Sequence, residues 1–294
     1  MGLKNSFAVV SIACTLLLAG CAPATIYPTP SATAPAGSDP QARAALPESI
    51  RIAGKLVIAV DTTYAPNEFK DIGGRPAGWE IELLRAAGVK LGLTVVYDQV
   101  DFATIIPGVK SGTFNVGLAS IFDTSQRRQE VQMVDYYNAG ILWAQQKGTS
   151  VVNPDDACGL SVAAQSDTFE AIEDLPKRSA KCVAEGKKPI EIVTYVNQSD
   201  ATEALQLGRV DALIADSPVT LYSVQQSNGK LISVGSVYGI TSYGLPVQKG
   251  SKLGRALQLA LQSLIDDGKY HRILSSWGVQ QGAVAKVTLN EAGQ

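Results

Sequence analysis

The segment Leu56-Val57-Ile58-Ala59-Val60, followed at once by Asp61, gives the clearest indication of the fold. Five consecutive apolar residues, three of them β-branched, predict a short buried strand. Downstream, apolar residues recur at helical spacing from Ile81 to Leu91, and 93–97 is a second predicted strand. Short buried strands that alternate with amphipathic helices are typical of an α/β fold.

Later elements continue this alternation. Asp101 is placed to cap a helix that ends at Gly112. Asp200 and Glu203 resemble a capping box, and Gly208 would end the helix that they begin. No internal repeat interrupts the pattern, and the length of 294 residues favours two domains.

Polar residues follow several predicted strands at the point where each strand ends. They are Asp61 after 56–60, Ser120 after 114–119, Gln165, Ser166, Asp167 and Thr168 after 160–164, and Asp216 after 210–215. In open α/β sheets, ligands bind outside the carboxyl ends of the strands. A single polar ending is commonly only a turn or a helix cap, but four in one chain predict one or two clustered polar sites.

Composition excludes several classes of function. Lys and Arg number 25 against 27 Asp and Glu, a net charge of -2, so a basic surface for nucleic acid is not expected. The chain has one histidine, His271, which we expect at the surface, and four cysteines. Too few ligands remain for the usual zinc sites, and we expect neither a metal nor a cofactor.

The N-terminus predicts export and lipid anchoring. A start carrying Lys4 and a short apolar run from Phe7 to Leu18 form a signal peptide over 1–20. The run ends in Leu18-Ala19-Gly20-Cys21, which matches the bacterial lipobox, so Cys21 is the predicted lipidation site. Residues 21–53 form a predicted tether, because 22–47 contain six of the 14 prolines with many Ala, Ser and Thr residues.

The two cysteines in the body of the chain are Cys158 and Cys182. An exported protein folds in an oxidising compartment, where paired cysteines usually form disulfides. We therefore expect a Cys158–Cys182 bond, with two free thiols as the alternative.

Several ordered stretches resemble the solute-binding proteins of bacterial amino-acid ABC importers, the polar amino-acid type. The resemblance runs from Gly54 to the C-terminus. The stretches that carry it are Gly54-Lys55-Leu56, 61–69 (Asp61 to Phe69), 78–83 (Gly78-Trp79-Glu80-Ile81-Glu82-Leu83), 120–127 (Ser120 to Arg127), 136–140 (Tyr136 to Gly140), 208–212 (Gly208 to Ala212), 215–218 (Ala215-Asp216-Ser217-Pro218) and 267–270 (Asp267 to Tyr270). Each stretch alone is weak evidence, and the ordered set is strong.

The resemblance implies a type II periplasmic-binding-protein fold. Such a fold has two lobes, each a central β-sheet flanked by helices, with the ligand cleft between them. The implied lobes are 54–147 plus 241–294 for lobe one and 148–240 for lobe two. A hinge motion closes the cleft on the ligand. The implied protein is a monomer without enzymatic activity that delivers an amino acid to a permease and ATPase.

The resemblance also implies roles for individual residues. Arg127 would clamp the ligand carboxylate with its planar donor fork, and Asp216 would accept from the ammonium group. Further ligand contacts are expected from Asp61 and Ser120 in lobe one, and from Thr168, with Ser166 or Asp167, in lobe two. Tyr64 and Phe102 would form aromatic walls. Trp79 and Trp143 are expected in the core.

The sequence departs from the family pattern at some of these positions. Phe122, which is also an expected ligand contact, stands where many members have a Ser or Thr that touches the ligand. Ser166-Asp167 replaces the more usual Gly-Thr, and Asn67 replaces a frequent aromatic. If the Asp167 carboxylate pointed inward, it would favour a polar or cationic ligand.

Two alternatives to transport stay open at this point. Some dehydratases similar to cyclohexadienyl dehydratase share the fold, and such an enzyme would need an acid or base in the cleft, for which Glu80 and Asp167 are candidates. The second alternative is a sensor that presents its closed form to a separate signalling protein.

Overall fold

A computed structural model of the protein describes Gly2 and residues 35–290. Apart from Gly2, the predicted signal peptide, Cys21 and the first part of the predicted tether therefore lie outside the described residues. The strands are β1 (Lys55–Val60), β2 (Thr63–Tyr64), β3 (Glu68–Lys70), β4 (Pro76–Ala77), β5 (Thr94–Gln99), β6 (Val116–Leu118), β7 (Gln132–Gln146), β8 (Ser161–Gln165), β9 (Glu191–Tyr195), β10 (Ala212–Asp216), β11 (Leu231–Val247) and β12 (Ala283–Asn290). The helices are α1 (Pro40–Ala44), α2 (Glu48–Ala53), α3 (Trp79–Leu91), α4 (Phe102–Ser111), α5 (Ser125–Glu130), α6 (Leu175–Ala184), α7 (Gln198–Gln206), α8 (Ser217–Gln226), α9 (Leu253–Asp266) and α10 (Lys269–Ser276).

The central sheet confirms the predicted two-lobed α/β fold. Its strand order is β5-β1-β6-β11-β7-β10-β8-β9, with β12 also paired to β7. On one side β1 pairs in parallel with β5 and β6, and on the other β8 pairs in parallel with β9 and β10. Each predicted strand is present, with its bounds shifted by at most two residues.

Two long antiparallel strands, β7 and β11, join the two halves of the sheet. Their pairing runs from Gln132 opposite Val247 to Gln146 opposite Leu231, with register shifts on both sides of Tyr238. The later part of β7 also pairs with β10, through 141–144. The crossing thus lies within these two strands, and the lobe boundaries 54–147 plus 241–294 and 148–240 stay a prediction.

The helical predictions are largely confirmed. Ile81, Leu84, Ala87 and Leu91 on α3 are all fully buried, because the helix places this stripe against the sheet. Trp79 and Trp143 lie in the core as expected, and Asp101 precedes α4, although its side chain makes no capping hydrogen bond.

The predicted capping box is wrong. Asn197, not Asp200, occupies the N-cap position of α7. Asp200 lies in the first turn, where its carboxylate accepts a hydrogen bond from Asn197 Nδ2 at 2.9 Å. A carboxylate there still favours the positive end of the helix dipole.

Part of the predicted tether is folded. Helices α1 and α2 lie within 40–53, where an extended chain was predicted. Asp39 caps α1 by accepting from the amides of Gln41 and Ala42, and Ala42 is fully buried in the core. Ala42 and Leu46 are buried against the main body, which composition alone does not reveal.

Cys158 and Cys182 form the expected disulfide, with 5.5 Å between their Cα atoms. It joins the turn before β8 to α6. His271 is exposed beside the ring of Tyr270, as expected. Between residues 35 and 290, no helix combines the length and apolar character that crossing a bilayer requires.

Candidate functional site

The carboxyl ends of β1, β6, β8 and β10 converge on one cavity, as the strand-end pattern predicted. Eight of the ten residues expected to contact a ligand line it: Asp61, Tyr64, Phe102, Ser120, Phe122, Arg127, Thr168 and Asp216. The structure thus brings together side chains that lie as much as 155 positions apart (216 minus 61). Their contact with a ligand stays a prediction.

Ser166 and Asp167 do not line this cavity. The Ser166 amide donates to the Tyr195 carbonyl at 2.8 Å, which continues the ladder between β8 and β9. Asp167 has a left-handed backbone with φ of 63°, and its side chain is exposed. Asp167 instead lines a neighbouring cavity together with Arg127 and Phe169, and the Asp167 carbonyl lies 3.5 Å from Arg127 Nη2.

Arg127 supplies the positive charge of the cavity. It lies in α5, whose first turn is capped by Thr124 through the Arg127 amide. Its Nη1 donates to the Phe122 carbonyl at 2.9 Å, and its guanidinium lies 5.6 Å from the ring centroid of Phe102. Burial lowers the pKa of Arg127, while the negative charges of Glu170 and Asp216 oppose that change.

Asp216 ends β10 and is almost completely buried. Tyr243 donates its hydroxyl to Asp216 Oδ2 at 2.7 Å, and the Asp216 amide donates to the Tyr64 hydroxyl oxygen at 3.3 Å. Burial raises the pKa of Asp216 well above its usual range, and the neighbouring Glu170 raises it further. Asp216 is therefore an acceptor whose charge depends on what lies next to it.

Asp61 and Gln165 connect the ends of β1 and β8 directly. Gln165 Nε2 donates to Asp61 Oδ2 at 2.6 Å and also to the Val196 carbonyl at 3.0 Å. The Thr63 amide donates to Asp61 Oδ1 at 3.0 Å. Burial raises the pKa of Asp61, and these donors act in the opposite direction.

Ser120 is held by a buried polar network behind the cavity. Its backbone has φ of 49°, in the left-handed region that a non-glycine residue adopts only with local support. Its hydroxyl lies 3.2 Å from Glu68 Oε1 and 3.1 Å from Glu80 Oε1, and Tyr136 donates to Glu80 at 2.6 Å. Burial and the adjacent Glu80 raise the pKa of Glu68 well above its usual range.

Asn67 completes this network and lies behind the cavity lining. It is fully buried, donates to Ser120 Oγ at 2.7 Å, and accepts from Trp79 Nε1 at 2.6 Å. Asn67, which departs from the family pattern, therefore holds Ser120 in place from outside the cavity lining. Glu80, one of the two candidate catalytic acids, lies in the same buried network, and Asp167, the other, is exposed outside the cavity.

Four lining residues were missed by the sequence analysis: Ala119, Gln165, Phe169 and Glu170. Gln165 was noted only as a strand ending. Phe169 and Glu170 follow Thr168, whose hydroxyl donates to the Gln165 carbonyl at 2.8 Å and starts a helical turn. Thr168 was the available signal for Phe169 and Glu170, because a helical turn that starts at this residue brings the next two side chains to the same edge of the sheet.

Aromatic rings surround the polar groups. The ring of Phe122 packs edge-on against the ring of Phe169, with 6.2 Å between the ring centroids, and its centroid lies 5.5 Å from that of Tyr243. Across residues 35–290, no group of three His, Cys, Asp or Glu side chains is arranged to hold a metal ion. The site as described offers one guanidinium, several carboxyl groups and apolar walls.

Comparison with known proteins gives a consistent set of matches. The sequence model of the bacterial extracellular solute-binding proteins, family 3, matches residues 56–280. The arginine-binding protein ArgT of Corynebacterium glutamicum is 38% identical over 253 residues, which cover 86% of this chain and 83% of that protein.

Two solved structures are also similar to this chain. An ancestral arginine-binding protein bound to arginine is 30% identical, with a TM-score of 0.71, over 76% of this chain and 98% of the other. The ancestral amino acid-binding protein AncCDT-1, a precursor of cyclohexadienyl dehydratase, is 25% identical, with a TM-score of 0.68, over 78% of this chain and 97% of the other.

Proposed function

Because the chain belongs to family 3 of the bacterial extracellular solute-binding proteins, we propose that it binds a cationic amino acid, arginine above all, for an ABC importer. The similarity to arginine-binding proteins supports this choice. The chemistry of the cavity supports it independently.

The observation that carries the proposal is the imbalance of charged groups in the cavity. One guanidinium, Arg127, faces three carboxyl groups, those of Asp61, Glu170 and Asp216. A zwitterionic backbone needs one donor group for its carboxylate and one acceptor for its ammonium. Acceptors then remain for a positively charged side chain, because buried charges require partners of opposite sign.

In the proposed complex, Arg127 binds the α-carboxylate through two N–H groups, and Asp216 accepts from the α-ammonium. Asp61 accepts from the cationic end of the ligand, between the rings of Tyr64 and Phe102, which suit the flat face of a guanidinium. Thr168 and Ser120 supply further hydrogen bonds.

Delivery follows from contacts on both sides of the cleft. A ligand held by Arg127 on one lobe and by Asp216 on the other stabilises the closed form over the open one, so binding shifts the population toward closure. We propose that the permease, with its ATPase, recognises the closed form. In this scheme the protein acts as a monomeric binding protein without catalysis, and the similarity to arginine-binding proteins supports a binding role.

We also propose that Cys21 carries a lipid that anchors the exported protein to the membrane, facing the periplasm or cell exterior. The lipobox and the extracytoplasmic family support this localisation. Replacing Cys21 with Ala should release the protein from the membrane fraction, whereas continued membrane retention would contradict the anchor.

Calorimetry and thermal unfolding with individual amino acids test the binding proposal. A ligand that binds only the folded protein at 100 times its Kd stabilises it by about 2.7 kcal/mol. Arginine should give the largest rise in Tm, lysine a smaller one and glutamate none. No rise with any amino acid would overturn the proposal, as would a stronger response to glutamate than to arginine.

A further inference from the structure

Glu170 is a buried carboxylate in the cavity that no role described so far requires. It begins the single π-helical turn Glu170–Asp174 that follows β8, and only 2% of the residue is exposed. Its Oε1 has no hydrogen-bond partner among the described residues. A buried carboxylate oxygen without a donor is costly, so its retention here points to a donor that arrives with a ligand.

The position of Glu170 near Asp216 indicates how the two carboxyl groups are balanced before a ligand binds. Both line the same cavity, and both are buried. Two ionised carboxylates close together in a buried cavity repel each other, so such a pair keeps one proton between its two groups. Burial and the neighbouring Glu170 accordingly raise the pKa of Asp216 well above its usual range.

The groups around the pair favour keeping that single proton in place. Several charged or titratable side chains lie near the pair. From other elements they are Arg127 of α5, Tyr64 of β2, Tyr243 of β11, Glu68 of β3 and Asp61 after β1, and from the same turn as Glu170 it is Glu173. Arg127 is the one cation in this set. It can balance one negative charge, so a second charge on the pair would be uncompensated until a positive group binds.

We propose that Glu170 is a ligand-binding residue that receives the α-ammonium together with Asp216, and that the shared proton leaves to solvent as the ligand binds. This inference rests on the proposed function. An ammonium group carries three N–H donors, which satisfy Asp216 and the unpartnered Glu170 Oε1 at once. The charges balance, because the ligand ammonium replaces one proton and both carboxylates end ionised.

The proposal has a direct thermodynamic consequence. If one proton is released on binding, the Kd for arginine falls about tenfold for each unit of pH over the range in which the pair keeps its proton. Ligands with the same ammonium group but other side chains show the same pH slope, because the slope arises at Glu170 and Asp216.

The test is isothermal titration calorimetry of arginine into the purified protein at pH 5.5 and 7.5, in two buffers of different ionisation enthalpy. The difference in heat between the buffers counts protons released. The wild-type protein should release up to one proton at the lower pH. Glu170→Gln should release none, because its amide can donate to an ionised Asp216, and should bind arginine at least tenfold more weakly at pH 7.5.

Glu191→Gln is the matched control, since it makes the same chemical change on the exposed residue at the start of β9. It should keep wild-type affinity and proton release. Wild-type binding that is independent of buffer at pH 5.5 would overturn the assignment without using any variant, as would Glu170→Gln with unchanged affinity. Absence of heat with any amino acid would overturn the proposed function itself, and the two failures are therefore separable.

Discussion

Replacing Arg127 with Ala is the most direct test of how the cavity would hold an amino acid. The substitution removes the guanidinium that faces Glu170 and Asp216 from α5. Hydrogen bonds to a charged group contribute about 1.5–3 kcal/mol each, and a carboxylate clamp uses two of them. We therefore expect arginine binding to weaken by about 3–6 kcal/mol, or roughly 150- to 25,000-fold in Kd.

The fold should tolerate this change. The guanidinium donates to one backbone carbonyl, that of Phe122, and lies near the ring of Phe102. Losing one such hydrogen bond costs about 1 kcal/mol, and removing a half-buried cation offsets part of that cost. Circular dichroism and thermal unfolding should show a folded protein with a Tm close to that of the wild type.

Arg128→Ala provides a matched control on the same helix. Arg128 pairs with Asp123 at 3.2 Å and does not line the cavity. Calorimetry should give a Kd for Arg128→Ala within about threefold of the wild type, while Arg127→Lys, which keeps the charge without the planar fork, should fall between wild type and Arg127→Ala. If Arg127→Ala is folded and binds arginine with wild-type affinity, the carboxylate clamp lies elsewhere.

Three further predictions concern stability. Burial and Asp123 raise the pKa of Asp135 to about 7, so the native state keeps a proton that the unfolded chain loses. The free energy of unfolding should therefore fall by up to about 4 kcal/mol from pH 4 to 8. Asp135→Asn should flatten this pH dependence in urea unfolding, and an unchanged slope would assign the dependence to other groups. Replacing Cys158 and Cys182 together with Ser should lower the free energy of unfolding by about 3–4 kcal/mol, and equal urea midpoints would contradict this. Asn67→Ala should cost about 2–4 kcal/mol, because it leaves buried donors unpaired, and a loss below 0.5 kcal/mol would refute the role given to that network.

The strand-end pattern predicted much of the site because it depends on sheet topology. Asp61, Ser120 and Asp216 each follow a buried strand, and parallel strands bring their carboxyl ends together whatever the details of packing. The fold class follows from the same short apolar runs. These features are local in sequence, and they need no knowledge of tertiary contacts.

The errors arise where local conformation or distant packing decides the outcome. Asp167 lies outside the cavity at a turn with a left-handed backbone, and an aspartate in a polar run gives little sign of such a turn. Glu170 reaches the cavity only because a helical turn begins directly after β8. Likewise 40–53 looked like a mobile linker, since the core that buries Ala42 is formed by residues far along the chain.

Because Gln165 already donates a hydrogen bond to Asp61, a ligand that uses Asp61 as its acceptor must replace that hydrogen bond. For an amino acid placed as proposed, the ligand side chain must displace a neutral amide from Asp61. A neutral ligand donor, such as another amide, would replace one neutral hydrogen bond with another and would gain little binding free energy. A cationic donor gains the added attraction of opposite charges in a poorly solvated place. Gln165 would thus compete with the ligand for the Asp61 carboxylate, and this competition would favour charged ligand side chains over neutral ones.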